Sequence, residues 1–349
     1  MNPNPDFESL LQTGVRNFWY PVVPSWRLRS APLGLTRLGE NIVLWREGGR
    51  DDGAVHALED RCPHRGARLS LGWNIGERVA CWYHGVEVDG EGKVAAVPAV
   101  TNCPLVGKNA VKAYPAKEVH GGIFVYFGDA LHPEPPPLEF PEQLASPEWS
   151  SFLCTATWKC NYRYAVENVM DPMHGSYLHA ESHSMAEGDK SAEFRVRKTD
   201  TGMVFEKVGQ LGVNFDWVEW AESGAQWMRL SIPYQKKFGP GGQFFIVGYV
   251  TPVDADYCQV FFWRCRKVQG WQRDVWRYLF RNRLEGLHWA VLEQDHELLE
   301  NMAPQARSRE FLYQHDVGMA RVRRMLEMQA RAQVRALEGA AGPANDARG

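Results

Sequence analysis

Short runs of apolar residues, many of them β-branched or aromatic, alternate with polar turns along the first third of the chain. These runs span residues 41–47, 54–60, 78–83, 86–97 and 121–128. Gly and Asp separate the runs, which is typical of strands joined by tight turns. The Asp-Gly pair inside the fourth run favours a hairpin, because both residues tolerate positive φ. The pattern predicts a small all-β domain over residues 40–128.

The period changes after a proline-rich stretch at residues 129–142, which we interpret as a linker. A broken helix is predicted at 166–179, and longer strands and two long helices follow it. The predicted strands lie at 213–222, 226–234, 242–250 and 259–267, and the predicted helices lie at 272–302 and 317–337. Strands followed by helices indicate an α+β second domain over residues 143–338.

The two ends of the chain complete the predicted organisation. Residues 1–39 are expected to pack with the second domain. Residues 339–349 are expected to form a disordered tail, because they are rich in Gly, Ala and polar residues.

Composition excludes several classes of function. The 39 Lys and Arg residues nearly balance the 42 Asp and Glu residues, and the formal net charge is -3. Such a balance predicts neither nucleic-acid nor membrane-surface binding. We find no signal peptide and no apolar run of membrane-spanning length, so a cytoplasmic location is expected. The seven cysteines are scattered and odd in number, which favours metal ligands and small core residues over a disulfide framework.

Two short arms each carry one cysteine and one histidine. The first arm holds Cys62 and His64, and the second holds Cys81 and His84. A zinc finger pairs two cysteines on one arm with two histidines on the other. The mixed pairing here suits a cluster of two metal ions, because each arm can place its sulfur on one iron and its nitrogen on the other. A [2Fe-2S] cluster is predicted, and a mononuclear zinc site or a chance match is the alternative.

A second candidate metal site lies in the broken helix. His174 and His179 follow Asp171, and two imidazoles with one carboxylate form the facial set that leaves positions open on ferrous iron. A separation of five residues turns a straight helix by about 140°. Both histidines therefore reach one metal only if the helix ends or distorts, for which Pro172 and Gly175 give reasons. Surface or core histidines are the alternative.

The third ligand is expected from the helix at 272–302. At about 100° per residue, its apolar residues form one predicted stripe, and Asp295 falls inside that stripe. The stripe comprises Phe280, Leu284, Leu287, Val291, Leu298, Leu299 and Met302. A carboxylate that faces a core needs a cation or hydrogen-bonding partners. Asp295 is therefore the predicted metal ligand, with an ion pair to Arg229 or Arg264 as the alternative.

The quoted segments resemble those of the oxygenase components of Rieske non-haem iron aromatic ring-hydroxylating oxygenases. The resemblance rests on "CPHRGA" with "CWYHG", on "NVMDPMH" with His179, and on "EQDHELLE". The resemblance extends from about Phe18 to Leu337. The length of the chain and the segment "YHGVEVDG" are similar to those of the phthalate and dicamba oxygenase type. One departure is Trp82, where the family commonly has proline after the second cysteine.

The resemblance implies a fold, cofactors and an assembly. A small Rieske [2Fe-2S] domain would precede a helix-grip (START-like) catalytic domain with a curved antiparallel sheet and a mononuclear Fe(II). Head-to-tail homotrimers would pass electrons between neighbouring subunits. In them, His84 would face Asp171 of the next chain, and Asp171 would bridge to His174 as a catalytic residue.

The implied activity is that of a terminal oxygenase. It would use O2 to hydroxylate or dihydroxylate a small aromatic, carboxylated substrate. Electrons would come from an external NAD(P)H-dependent reductase or a ferredoxin, since the chain has no G-x-G-x-x-G fingerprint. An oxidative O- or N-demethylase on the same scaffold is the alternative. A Rieske electron carrier and a zinc-stabilised binding module are the rival classes.

Overall fold

Short antiparallel strands make up the smaller of the two units into which the chain divides. The computed structural model describes residues 6–182, 188–234, 242–303 and 305–341. The small unit comprises Arg16–Pro136 and Thr251–Asp254. The large unit comprises Met1–Val15, Pro137–Val250 and Ala255–Gly349.

The strands of the small unit form three sheets. They are β1 (Phe18–Pro24), β2 (Leu33–Arg37), β3 (Glu40–Arg46), β4 (Val55–Glu59), β5 (Trp73–Asn74), β6 (Arg78–Ala80), β7 (Glu87–Asp89), β8 (Val94–Ala96), β9 (Ala113–Tyr114), β10 (Ala116–Val119) and β11 (Gly122–Phe127). The sheet orders are β1-β11-β10, β2-β3-β4-β9 and β5-β6-β7-β8. One apolar core of this unit includes Trp45, Leu58 and Val88 together with Cys62 and Cys81, so both cysteine arms are anchored in packed interior.

The predicted N-terminal segment is wrong in its extent. Only residues up to Val15 belong to the large unit. Residues 16–39 belong to the small unit because β1 pairs along its length with β11, from Phe18 opposite Phe127 to Pro24 opposite Gly122. The prolines inside β1 explain why the sequence pattern does not predict this strand, since proline cannot donate a hydrogen bond to a ladder. A bulge in the pairing begins at one of them, Pro21.

A seven-stranded sheet dominates the large unit, in the order β12-β18-β17-β16-β15-β14-β13. Its strands are β12 (Trp149–Trp158), β13 (Phe194–Lys198), β14 (Gly202–Lys207), β15 (Trp217–Glu222), β16 (Gln226–Tyr234), β17 (Gly242–Pro252) and β18 (Cys258–Lys267). The helices are α1 (Phe7–Thr13), α2 (Glu142–Ala145), α3 (Tyr162–Val169), α4 (Gly270–Leu279), α5 (Glu285–Glu300) and α6 (Val317–Ala341). The predicted α+β class is confirmed. Helix α6 also shows that residues 339–341 are helical, contrary to the predicted tail, while residues 342–349 lie outside the described residues.

The predicted long helix at 272–302 forms, but with an irregular middle. A π-helical turn, Phe280–Leu284, joins α4 to α5. The π turn shifts the phase of α4 relative to α5, and within α5 itself the predicted apolar stripe is wrong in part because it is too wide. Leu287, Leu298 and Met302 are exposed. The buried face instead runs through Phe280, Leu284, His288, Leu292, Asp295 and Leu299.

This buried face packs on the sheet. The Phe280 ring stacks on Phe152 of β12 with centroids 4.3 Å apart, and the His288 ring stacks on Phe244 of β17 at 4.9 Å. Asp295 is therefore placed toward the interior, as predicted, between the helix and the sheet.

Helix α3 is fixed at both ends. At its start, the Asn161 side chain accepts a hydrogen bond from Arg163 N at 3.1 Å and donates to Ala255 O at 2.8 Å. Near its end, the buried Glu167 carboxylate binds Arg323 of α6 at 2.7 Å. These contacts hold the segment that leads into the candidate metal site.

We expect Asn161→Ala to lower the free energy of unfolding of the large unit by about 1 to 2 kcal/mol, because it removes an N-cap and leaves the main-chain carbonyls of Gln12 and Ala255 without their donor. Asn161→Asp, which keeps the capping oxygen but loses the donor, should cost less. Urea unfolding followed by tryptophan fluorescence measures both. An unchanged midpoint for Asn161→Ala would show that the cap does not stabilise α3.

Candidate metal centres

The first cysteine arm forms a closed turn. Cys62 N donates to Ala67 O at 2.7 Å, and Gly66 N donates back to Cys62 O at 2.9 Å. Gly66 has φ +78°, a conformation that favours glycine. The turn presents the side chains of Cys62 and His64 at its tip.

The second arm repeats this geometry. Cys81 N donates to Val86 O at 2.8 Å, and Gly85 N donates to Cys81 O at 2.8 Å. Gly85 has φ +71°. The matching turns explain why a glycine follows each histidine in sequence, and they place two similar ligand loops side by side.

The two thiols and the two imidazoles of the candidate ligands differ in burial. The thiols of Cys62 and Cys81 are buried in the core, whereas the imidazoles of His64 and His84 are exposed, with their Nδ1 atoms 3.2 Å apart. Burial and the neighbouring Cys81 thiol raise the pKa of Cys62 to about 11. A metal cation would stabilise the thiolate against this cost. Two sulfurs inside and two nitrogens outside fit a [2Fe-2S] cluster with unlike irons.

An aromatic ring packs beside one of the two exposed imidazoles. The Tyr83 ring lies 3.9 Å from the His84 ring, centroid to centroid, and the Arg65 guanidinium lies 5.7 Å from the centre of Tyr83. Trp82 is also exposed. The departure at Trp82 therefore places an apolar group on the surface beside the arms and disturbs neither of them.

The second candidate centre unites the three residues predicted for it. His179 Nε2 lies 3.2 Å from Asp295 Oδ1, and His174 Nε2 lies 3.6 Å from the same oxygen. One ligand atom from each residue falls within 4.8 Å of the others. The helix break that the sequence predicted makes this possible: α3 ends at Val169, and a 3₁₀ turn, His174–Ser176, follows. Two imidazoles and one carboxylate fit a non-haem ferrous ion.

Neighbouring side chains orient these ligands. His179 Nδ1 donates to Gln294 Oε1 at 2.7 Å, which leaves Nε2 free to bind a metal. Asn168 Nδ2 donates to Asp295 Oδ1 at 3.0 Å. Burial, the largest single influence, lowers the pKa of His179, but Asp295 and Gln294 outweigh it and the pKa is raised. Sequence analysis missed Gln294, for which adjacency to Asp295 is the only signal.

The turn that carries His174 rests on a buried ion pair. Lys207 Nζ donates to Ser176 Oγ at 3.3 Å and lies 3.6 Å from Asp216 Oδ1. Burial lowers the pKa of Lys207, and Asp216 opposes this shift. Lys207 and Asp216 thus hold the turn that carries His174. The periodicity of the sequence did not indicate this role.

Asp171 does not form the predicted bridge to His174 in this structure. Its Oδ1 accepts a hydrogen bond from Met173 N at 2.8 Å, which closes a turn between α3 and the 3₁₀ turn. His174 Nδ1 is buried, and within the described part of the chain it has no hydrogen-bonding partner. The bridging role of Asp171 therefore stays a prediction.

The ion-pair alternative for Asp295 is wrong. Arg229 pairs with Glu219 at 2.5 Å. Arg264 Nη2 donates to His288 O at 3.0 Å. Neither arginine contacts Asp295, whose buried carboxylate faces the two imidazoles.

An apolar cavity that is partly open to solvent adjoins these three residues, and its empty space, with the open solvent included, is about 640 Å³. Its walls include Phe215, Leu230, Ile232, Phe244, Ile246, Phe262 and Leu292, with His288 and Arg264 as polar members. His288, on the buried face of α5, also lines this cavity. A mostly apolar lining with a few polar groups is typical of a site for a small ligand.

Two centres of unlike chemistry define the class: an iron-sulfur centre ligated by cysteine and histidine, and a mononuclear non-haem iron site beside an apolar cavity. Residues 18–115 match the Rieske [2Fe-2S] domain family, and residues 158–332 match the family of the vanillate O-demethylase oxygenase C-terminal domain. The second match alone covers half of the chain. The chain therefore belongs to the Rieske oxygenase family, whose members carry a [2Fe-2S] cluster and a mononuclear non-haem iron. The zinc alternative for the first site is wrong.

Similar proteins support this assignment. The vanillate O-demethylase oxygenase subunit of Pseudomonas sp. (strain HR199 / DSM 7063) is 35% identical over 176 residues, which cover 50% of this chain and 48% of that protein. The chain thus spans about half the length or less of the curated relatives it matches first.

Solved structures show the same fold over nearly the whole chain. An oxygenase and ferredoxin complex of carbazole 1,9a-dioxygenase, with fluorene bound, has a TM-score of 0.75 at 22% identity and covers 94% of this chain and 96% of that one. Dicamba monooxygenase bound to dicamba has a TM-score of 0.74 at 23% identity and covers 92% and 99%. Among the described residues, no helix combines the length and apolar character needed to cross a membrane.

We expect Gln294→Leu to weaken Fe(II) binding at the mononuclear site by about 10- to 100-fold, because the His179 ring loses the acceptor that orients it. Gln294→Glu keeps an acceptor and should bind iron nearly as the wild type does. Anaerobic Fe(II) titration of protein stripped of its mononuclear iron measures this. Glu297→Leu, at an exposed position of the same helix, is the control. Equal affinities for Gln294→Leu and the control would show that Gln294 does not orient the ligand.

Proposed function

We propose that this protein is the terminal oxygenase of an aromatic-oxidising system. It would use O2 and electrons from an external NAD(P)H-dependent reductase or a ferredoxin to hydroxylate or dihydroxylate a carboxylated aromatic substrate. The observation that carries the proposal is the position of His174, His179 and Asp295 at the wall of an apolar cavity. A simple electron carrier has no use for such a site, so the rival class of Rieske carrier is disfavoured.

Oxidative demethylation is the second candidate. It is favoured by the match of residues 158–332 to the vanillate O-demethylase oxygenase C-terminal domain. Hydroxylation of a methyl group attached to oxygen or nitrogen gives an unstable product that releases formaldehyde. Both reactions use the same iron chemistry, and the orientation of the substrate in the cavity selects between them.

The residues of the chain have separable tasks in this proposal. Cys62, Cys81, His64 and His84 would hold the [2Fe-2S] cluster, and His174, His179 and Asp295 would hold the mononuclear iron. When bound, the cluster supplies single electrons and the ferrous iron activates O2. The apolar walls exclude water and hold an aromatic ring against the iron ligands. Gln294 and Asn168 keep His179 and Asp295 in place by hydrogen bonds.

The proposed assembly and partners are taken by analogy from the family. We carry over the head-to-tail homotrimer, in which the cluster of one subunit serves the iron of the next. The exposed rings beside the cluster arms support contact with a partner surface, because Trp73, Trp82 and Tyr83 are each more than half exposed. A ferredoxin and a neighbouring subunit are both consistent with this surface.

Product analysis tests the proposed activity. The purified protein is given a surrogate reductase, NADH and ¹⁸O2, with a panel of aromatic acids and their methyl ethers. We expect ¹⁸O in a ring hydroxyl group, or formaldehyde release from a methyl ether, for at least one substrate. His179→Ala, which removes one iron ligand, is the control and should give no product. NADH consumption without product across the whole panel, at full iron occupancy, would contradict the proposal.

Asp171 gives a sharper prediction. Asp171→Asn should retain both metal centres yet turn over about 100-fold more slowly, since a charge-assisted hydrogen bond worth about 3 kcal/mol would be lost. The asparagine can still accept the bond from Met173 N, so the turn is kept. Iron content, the spectrum of the reduced cluster and product formation are the measurements. Asp200→Asn, at an exposed turn, is the control. Normal turnover by Asp171→Asn would refute the bridge.

A further inference from the structure

The apolar cavity has a buried cation in its wall. Arg264 of β18 is only 3% exposed and lines the cavity. Its Nη1 contacts Cys154 Sγ at 2.5 Å, and its Nη2 donates to His288 O at 3.0 Å. A guanidinium has more N–H donors than these two contacts use.

No carboxylate of the described chain neutralises this cation. Every arginine-carboxylate pair formed by the described residues involves another arginine. Glu285 is the acidic group whose charge raises the pKa of Arg264 against the larger effect of burial, which lowers it. Glu285 itself pairs with Arg281 at 3.2 Å. Burial raises the pKa of Cys154, so its sulfur is a neutral thiol and contributes no opposite charge.

A buried guanidinium without an anion is unfavourable, because it cannot give up its proton and has left its hydration behind. Hydrogen bonds to a thiol and to one carbonyl offset only part of that cost. The cavity beside it is the side from which an opposite charge can approach. Aliphatic and aromatic side chains form most of the remaining wall, which would place an anion on Arg264 in preference to any other position.

We propose that Arg264 is the anchor for the carboxylate of an aromatic acid, which binds with its ring in the apolar cavity and its opposite end toward the iron ligands. The inference rests on the proposed function and specifies its substrate class. Bidentate pairing of a guanidinium with a carboxylate supplies both the charge and the orientation.

Helix α5 sets the length of this substrate. Arg264 contacts the main chain of His288, and Asp295 lies seven residues further along the helix. Seven residues rise by about 10 Å. A single benzene ring with a carboxylate at one end and the reacting group at the other suits this spacing. The position oxidised is therefore remote from the carboxylate, and the two carbons next to it are spared.

Equilibrium binding tests the anchor without turnover. Calorimetric titrations of the oxidised holoenzyme, with no reductant present, compare 4-methoxybenzoate with 4-methoxybenzamide, a neutral ligand of nearly the same shape. We expect the acid to bind at least about 10-fold more tightly, since hydrogen bonds to a charged group contribute about 1.5 to 3 kcal/mol. Arg264→Gln should abolish this preference, and Arg264→Lys should retain part of it. Arg195→Gln, at an exposed arginine outside the cavity wall, should leave it unchanged.

The outcomes separate this inference from the proposed function. Equal binding of acid and amide by the wild type, or no binding of either, overturns the anchor even where Arg264→Gln fails to fold. A preference that survives in Arg264→Gln overturns it as well. If the acid binds through Arg264 and no oxygenated product is formed from any acid, the anchor stands and the proposed oxygenase activity fails.

Discussion

The buried carboxylate of Asp295 is the constraint on which the large unit depends. It lies 3.2 and 3.6 Å from two imidazole nitrogens, and no arginine or lysine of the described chain forms an ion pair with it. A charge in such a place is tolerated when a cation joins it. The break after α3, the ion pair under the His174 turn and the phase of α5 all serve to bring three ligands to that one point. A metal ion bound at this point would therefore couple metal binding to the packing of this unit.

The candidate ligands of the small unit are of different types, and only some of them are buried. Soft thiols are buried in its core, while imidazoles remain at the surface. Thiolate and imidazole ligands on different irons make an electron centre, whereas imidazoles with a carboxylate leave a ferrous ion open to O2. The division of labour between the two centres thus follows from ligand chemistry and burial, before any substrate is considered.

Candidate ligands that lie close together in sequence could be predicted from spacing. Cys62 with His64, Cys81 with His84, and His174 with His179 all follow from local turns and a helix break. Asp295 was found from helical periodicity, even though the predicted stripe around it was too wide: Leu287 and Leu298, which lie in the same regular helix, are exposed. Gln294 and Arg264 gave no such signal. Their positions depend on how α5 packs against β17 and β18, and long-range packing leaves no fixed spacing in a sequence. The strand at Phe18–Pro24 was missed for a local reason, namely the prolines within it.

The same buried groups that stabilise binding also determine selectivity. An apolar pocket separates ligands that differ by one methylene group only weakly, whereas a site with a buried hydrogen-bonding group rejects a ligand that leaves this group unpaired. Arg264 gives the cavity this property, since a neutral ring would bury the guanidinium without an anion. Arg264 also donates a hydrogen bond to the carbonyl of His288 on α5, the helix that carries Asp295. An anion bound to the guanidinium would therefore also affect the position of α5. Substrate recognition and the placement of Asp295 therefore share one helix.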